Sequence, residues 1–160
     1  GYVFQKHNLF PHLSVKEKIV LILNKSKKVP RHEAVRQAET MLKKVRLEAA
    51  MDKKPDAVSG GQAQRASIAR ALATDPQMIF LDEPTAALDP LLTGEVLRVI
   101  QELKGSGKDF IFVTHELKFL KNFADYILFM DQGKIVEKGS VACLDAPQTE
   151  RLKNFVKGEL

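Results

Sequence analysis

Apolar positions along the chain follow two rhythms. Through about residues 15 to 73 they recur at three- and four-residue steps, and from residue 77 short apolar runs alternate with helical stretches. The segment LSVKEKIVLIL sets Ser14 three residues ahead of Glu17 before an apolar run, a capping box that predicts a helix beginning near Val15. Pro30 opens a second helical pattern, with Ala34, Val35, Ala38, Met41, Leu42 and Val45 on one stripe and charges opposite. A third helix is expected after Ser59. It carries Ala63, Ala66, Ala69, Leu72 and Ala73, small residues that let another element approach closely.

Beyond residue 76 the order becomes strand, turn, helix, strand. MIFL and DFIFVT read as buried strands, and between them Asp89 caps a helix that Pro90 starts and that runs to about Lys104. Such alternation predicts an α/β fold with a mostly parallel sheet and crossover helices. YILFM and KIVEKG flank Asp131, Gln132 and Gly133, which predicts a hairpin. A last helix is expected from Pro147 to near Lys157, and no internal repeat interrupts the series.

Composition narrows the class. With 160 residues, 44% apolar and 28% charged, the chain has the makeup of a soluble globular domain. Its longest apolar run, Ile19 to Leu23, is far short of the roughly 20 residues that span a bilayer, and GYVFQKH carries no signal-peptide pattern. The single cysteine, Cys143, permits no internal disulfide, and a reducing compartment is the simple expectation. Charge is uneven: residues 1–58 hold 13 Lys and Arg against 6 Asp and Glu, and residues 59–160 hold 12 against 14. The basic stretch NKSKKVPRHE has no aromatic side chains interleaved to stack on bases, so a solvated helix face is expected there and no nucleic-acid partner.

The candidate chemistry begins with Asp82 and Glu83, adjacent carboxylates that end the MIFL run. At the carboxyl end of a strand, where ligands bind in open α/β sheets, Asp82 can hold Mg²⁺ and Glu83 can orient or deprotonate a water, as phosphoryl transfer requires. An Asp-Glu-Pro turn with solvated acids is the plainer alternative. In VSGGQAQR, Ser59 and Gln62 form a second capping box, and Gly60 and Gly61 leave backbone amides open to an anion at a helix N-terminus. The same four residues could be only a flexible turn. His115 follows DFIFVT at a strand end where it could bond a terminal phosphate or the attacking water, or be structural. KGSGKD, at 104 to 109, imitates a phosphate loop, but Glu102 stands where its first glycine belongs and Asp109 where Ser or Thr belongs. It also leads from helix to strand, the reverse of the required order, and no other segment fits.

Taken in order, Gln5, SGGQ at 59 to 62, the acid pair, AALD and His115 resemble the motif series of the nucleotide-binding subunits of ABC transporters. The likeness runs from Tyr2 to about Val156. VFQKHNLFPHLSV, EPTAALDPLLTGEVL and THELKFLKNFADYILFMDQGKIVEKG are similar to the branch that takes up polar amino acids. Val58 departs from the usual Leu before the family's signature, to which Ser59–Gln62 correspond by this resemblance.

The resemblance implies a partial P-loop NTPase fold without the strand and phosphate loop of the Walker A motif, across residues 1–160. A helical signature subdomain would span about 6–75, and the rest of the catalytic core about 76–160. It further implies Gln5 as Q-loop glutamine and metal ligand, Asp82 as the Walker B metal ligand, Glu83 and His115 as catalytic residues, and Ser59, Gly60, Gly61, Gln62 and Asp89 as nucleotide-binding. ATP and Mg²⁺ would be the substrate and cofactor. The partners would be a second ATPase subunit, in a homodimer, and transmembrane permease subunits, with a periplasmic or extracellular solute-binding protein engaged indirectly. Leu9, Phe10 and Pro11 would lie near the permease, and the protein would sit peripherally on the cytoplasmic face of the membrane. The alternatives are a soluble ABC-type ATPase of DNA maintenance and a non-catalytic interaction module. The first places a long coiled coil where only 53 residues separate Gln5 from Ser59.

Overall fold

The computed structural model describes residues 1–4 and 11–159. Two compact units divide the chain, Gly1–Thr114 and His115–Leu160.

In the first unit the helical and strand rhythms separate as the pattern predicts. Strand β1 (Tyr2–Val3) precedes three helices, α1 (Val15–Lys27), α2 (Arg31–Lys44) and α3 (Gly60–Ala73). Then come β2 (Met78–Asp82), α4 (Pro90–Leu103) and β3 (Asp109–Val113). Helix α1 begins at the expected box: the Ser14 hydroxyl accepts from the Glu17 amide at 3.2 Å, and the Glu17 carboxylate accepts from the Ser14 amide at 2.7 Å. Each bond satisfies a donor that the first helical turn would leave unpaired. Pro30 is the residue before α2, one position earlier than its preference for the first turn suggests. Of the stripe it opens, Ala34, Ala38, Leu42 and Val45 are fully buried, whereas Val35 and Met41 are half-buried.

Helix α3 is the hub of this unit. It touches α1, α2, α4 and β1, and eleven of its fourteen residues are buried. A helix enclosed on every side needs small residues, and alanines supply them. The Ser67 hydroxyl is fully buried and donates to the Ala63 carbonyl one turn back. Arg65 on α3 reaches Glu95 on α4 at 3.3 Å, fastening the two helices.

The sheet is parallel, in the order β1-β2-β3. The structure corrects the buried strands expected at MIFL and DFIFVT, for only one face of the sheet is covered: Val3, Ile79 and Leu81 are at most 1% exposed. On the opposite face Tyr2, Phe80 and Ile111 stand in register, with Phe4, Met78 and Val113 beside them, each between 38% and 52% exposed. Side chains alternate across a strand, so a continuous apolar run says nothing about whether both faces are covered.

The second unit holds α5 (Leu117–Phe123), the antiparallel pair β4 (Tyr126–Asp131) and β5 (Lys134–Ser140), and α6 (Glu150–Lys157). The hairpin forms as expected. Gln132 and Gly133 both have positive φ, 47° and 74°, as a two-residue turn with the twist of paired strands requires. Helix α6 starts later than Pro147, because Thr149 is its cap, accepting from the Leu152 amide at 3.3 Å. Glu137 on β5 holds that start in place. Its carboxylate accepts from the amides of Gln148 and Thr149 and from the Thr149 hydroxyl, at 3.0, 2.9 and 2.6 Å.

Those bonds, the Thr149 hydroxyl foremost, pull the Glu137 pKa below its ordinary 4.5. A depressed carboxylate stabilises the fold above its unfolded-state pKa, and that contribution disappears as pH falls through the folded value. Glu137→Gln is therefore expected to lower the stability of this unit at neutral pH, with the gap to wild type closing as pH falls below 4.5. Urea denaturation across a pH series reads this; a gap independent of pH would contradict it.

Candidate active site

The signature segment folds as its residue types dictate. Ser59 has extended backbone and caps α3, its hydroxyl accepting from the Gln62 amide at 3.2 Å while the Gln62 side chain accepts from the Ser59 amide at 3.0 Å. The hydroxyl hydrogen of Ser59 remains to be donated outward. Gly60 is exposed and Gly61 buried, and the amides of both lie in the first turn, which concentrates the positive end of the helix dipole.

The glycines have a second reason that the sequence did not disclose. A Cβ on Gly60 would lie 3.0 Å from Leu88 Cδ2, and one on Gly61 would lie 3.2 Å from Leu92 Cδ2 and 3.3 Å from Leu92 Cβ. Leu88 belongs to the AALD segment and Leu92 to α4, so the space left empty faces this chain's own leucines. Close packing, and not only access for an anion, accounts for the pair.

Asp89 does what its position predicts. Its Oδ1 accepts from the amides of Leu91 and Leu92, each at 3.0 Å, and caps α4. That engages one carboxylate oxygen structurally, and the exposed residue keeps the other for a further contact. Between the acids and this cap, the Ala86 amide donates to Glu83 O and the Leu88 amide to Thr85 O, folding EPTAALD into successive turns. Thr85 is 4% exposed, and its hydroxyl is buried with no hydrogen-bond partner.

Asp82 is the last residue of β2 and Glu83 leaves the sheet behind it. Glu83 has φ 42°, left-handed backbone that a non-glycine residue adopts at a cost of about 1–3 kcal/mol. Its amide donates to Val113 O at 2.9 Å, which extends the ladder by one bond and fixes the turn. Strain of this kind gathers at functional positions. Both acids are half-buried, where the field of a carboxylate is less screened than in open water.

The Asp82 carboxylate accepts a hydrogen bond from the Tyr2 hydroxyl at Oδ2, 3.0 Å. That bond, then burial, then the negative charge of Asp82 raise the Tyr2 pKa. No motif in the sequence singles out Tyr2. A hard, anionic oxygen at a strand end suits Mg²⁺, which takes one or two carboxylates and fills its other positions with water and phosphate. No group of three or more His, Cys, Asp or Glu that could cage a metal occurs among the described residues.

His115 is exposed and is the first residue of the second unit. Its carbonyl accepts from the Leu117 amide at 2.9 Å, shaping the entry to α5. Gln5, Leu9 and Phe10 lie outside the described residues, and Pro11 is exposed. Burial raises the pKa of the Cys143 thiol.

Against known proteins, the model of the family described as "ABC transporter" matches residues 1–86, more than half of the chain. The chain belongs to the ABC transporter family. The arginine transport ATP-binding protein ArtP of Haemophilus influenzae is 44% identical over 98% of this chain and 64% of its own length. The L-cystine transport system ATP-binding protein TcyN of Escherichia coli is 46% identical over 98% of this chain and 63% of its own length. The chain thus spans a little under two thirds of these relatives. Among solved structures, the ATP-binding cassette MJ0796, in a dimeric post-hydrolysis state bound to ADP and Pi, is similar with TM-score 0.75 and 33% identity, over 88% of this chain and 62% of that one. The α/β architecture with its parallel sheet and helical region is accordingly a partial P-loop NTPase fold of the ABC type.

The close approach of Leu92 to Gly61 gives a direct test. Gly61→Val is expected to destabilise the chain by about 1–3 kcal/mol through overpacking, and Leu92→Ala in that background to recover part of the loss. Chemical denaturation of the two single variants and the double variant measures the coupling; strict additivity would contradict the contact.

Proposed function

We propose that the chain is the greater part of an ATP-binding and ATP-hydrolysing subunit of an ABC importer for polar amino acids. The observation that carries this is Asp82 and Glu83 leaving the carboxyl end of a central parallel strand, in a chain whose relatives are named for arginine and cystine transport.

On this reading Glu83 orients and deprotonates the attacking water, and His115 bonds the terminal phosphate. Asp82 and Gln5 hold Mg²⁺, which would neutralise phosphate charge. Ser59, Gly60, Gly61 and Gln62 donate to the γ-phosphate of a nucleotide on a second copy of the subunit, while Asp89 works at the same boundary. Loss of that phosphate removes the acceptor for those donors and releases the closed pair. The helical region of about 6–75 and the remainder of about 76–160 act as signature subdomain and core. Permease subunits in the membrane are the partners, served by a solute-binding protein outside it, and the ATPase attends the cytoplasmic face. No helix among the described residues is long and apolar enough to cross a membrane.

The rival reading, an ATPase of DNA maintenance, requires a long coiled coil between the Q-loop and the signature. Helices α1 and α2 have 13 and 14 residues and fold back on one another and on α3, which favours the transporter.

Because no GxxxxGK[ST] segment occurs in the sequence, these 160 residues by themselves are expected neither to bind ATP tightly nor to hydrolyse it. At the full length of its relatives, with a phosphate loop, the protein should do both. There Glu83→Gln is expected to keep nucleotide binding and to reduce turnover by about 100-fold or more. Phosphate release and nucleotide titration on the two lengths test this. Vigorous hydrolysis by the 160 residues, or undiminished turnover in Glu83→Gln, would overturn the roles.

A further inference from the structure

The hydrogen bond from Tyr2 to Asp82 belongs to an arrangement with more than one support. Tyr2 and Phe80 are paired across the parallel strands and point to the same face, and Asp82, two residues beyond Phe80, points there too. Two residues of strand advance the chain by roughly 6.6 Å, so a side chain must be long and must lean along the strand to reach Asp82 from the position opposite Phe80. Tyrosine has that length and ends in a hydroxyl. Its ring lies 6.1 Å from that of Phe80, nearly parallel at 10°, and 4.3 Å from that of Phe4. The two phenylalanines therefore hold the phenol at the level of the carboxylate, where its hydroxyl donates to Oδ2 at 3.0 Å.

We propose that Tyr2 is a positioning residue for Asp82: its hydroxyl, braced by Phe4 and Phe80, fixes the carboxylate rotamer through Oδ2 and leaves Oδ1 to face a divalent cation. This rests on the reading of Asp82 as the metal-holding acid. A carboxylate that swings freely loses rotamer entropy on binding a cation, and one already pinned does not. Outer partners of ligating groups change metal affinity by about 10–100-fold, and the exposure of Tyr2 places the effect at the lower end. Tyr2 touches neither nucleotide nor cation on this account. Its influence passes through Asp82.

The chain offers its own spectroscopic reporter, since it contains two tyrosines and no tryptophan. With Tyr126→Phe, Tyr2 is the sole emitter, and a hydrogen bond to a carboxylate quenches tyrosine fluorescence. Asp82→Asn in that background is expected to raise the emission severalfold while circular dichroism shows the fold intact; unchanged emission from folded protein would overturn the bond. The functional arm uses Tyr2→Phe at the relatives' length, which keeps the ring stack and removes only the hydroxyl. The concentration of Mg²⁺ giving half-maximal ATP hydrolysis is expected to rise about 10-fold, with turnover recovered at saturating Mg²⁺ and the KM for ATP little changed. Mn²⁺ binding in the presence of a non-hydrolysable ATP analogue, followed by electron paramagnetic resonance, should weaken to the same degree. A uniform loss of turnover at every Mg²⁺ concentration would mark a merely structural residue and overturn the proposal, as would no change. If wild type shows no hydrolysis but Tyr2→Phe still weakens Mn²⁺ binding, the ATPase reading fails and the positioning role stands. No hydrolysis and unaltered Mn²⁺ binding would remove both.

Discussion

A helix that touches three other helices and a strand cannot carry large side chains, and α3 is that helix. Helices α1, α2 and α4 and strand β1 are arranged around it. Its alanines let α1, α2 and α4 approach, and the glycines at its start admit Leu88 and Leu92. The close approach at the glycines sets the start of α3 against the AALD turn and the first turn of α4. Arg65 and Glu95 make a second fastening between the same two helices, one partner of which is buried. Interiors this closely filled transmit strain instead of absorbing it.

The acids stand at the other end of this logic. Strand β2 is held on both edges by β1 and β3, and its Ile79 and Leu81 are anchored in the covered face. With the strand so fixed, its last residue, Asp82, has a fixed point of departure. Glu83 then leaves in a left-handed conformation that only the surrounding bonds, among them its amide to Val113 O, make tolerable. Position is what the fold supplies here, and the chemistry of two carboxylates is what the sequence supplies.

Much of this was legible beforehand for identifiable reasons. Caps and turns are local, and so Ser14, Ser59, Asp89 and the Gln132-Gly133 turn were read from a few neighbouring residues. Periodicity gave the helices, since a buried stripe repeats whatever it packs against. What could not be read was long-range. Nothing in MIFL says that one of its faces is bare, nothing in SGGQ says that Leu88 and Leu92 sit over the glycines, and nothing in YVF says that Tyr2 bonds a carboxylate 80 residues away. Thr149 displaced Pro147 as the start of α6 because Glu137, on another element, holds it. For the candidate site the residue types were visible, and the company they keep was not.

On the function proposed above, the acids and the signature of one chain serve different nucleotides, so that ATP holds two copies together. Sedimentation of the Glu83→Gln protein at the length of its relatives measures this most directly. Monomers are expected without nucleotide, dimers with Mg²⁺ and ATP, and monomers again when Ser59→Arg is added to block the signature. An oligomeric state indifferent to ATP, or a dimer that survives Ser59→Arg unchanged, would contradict it.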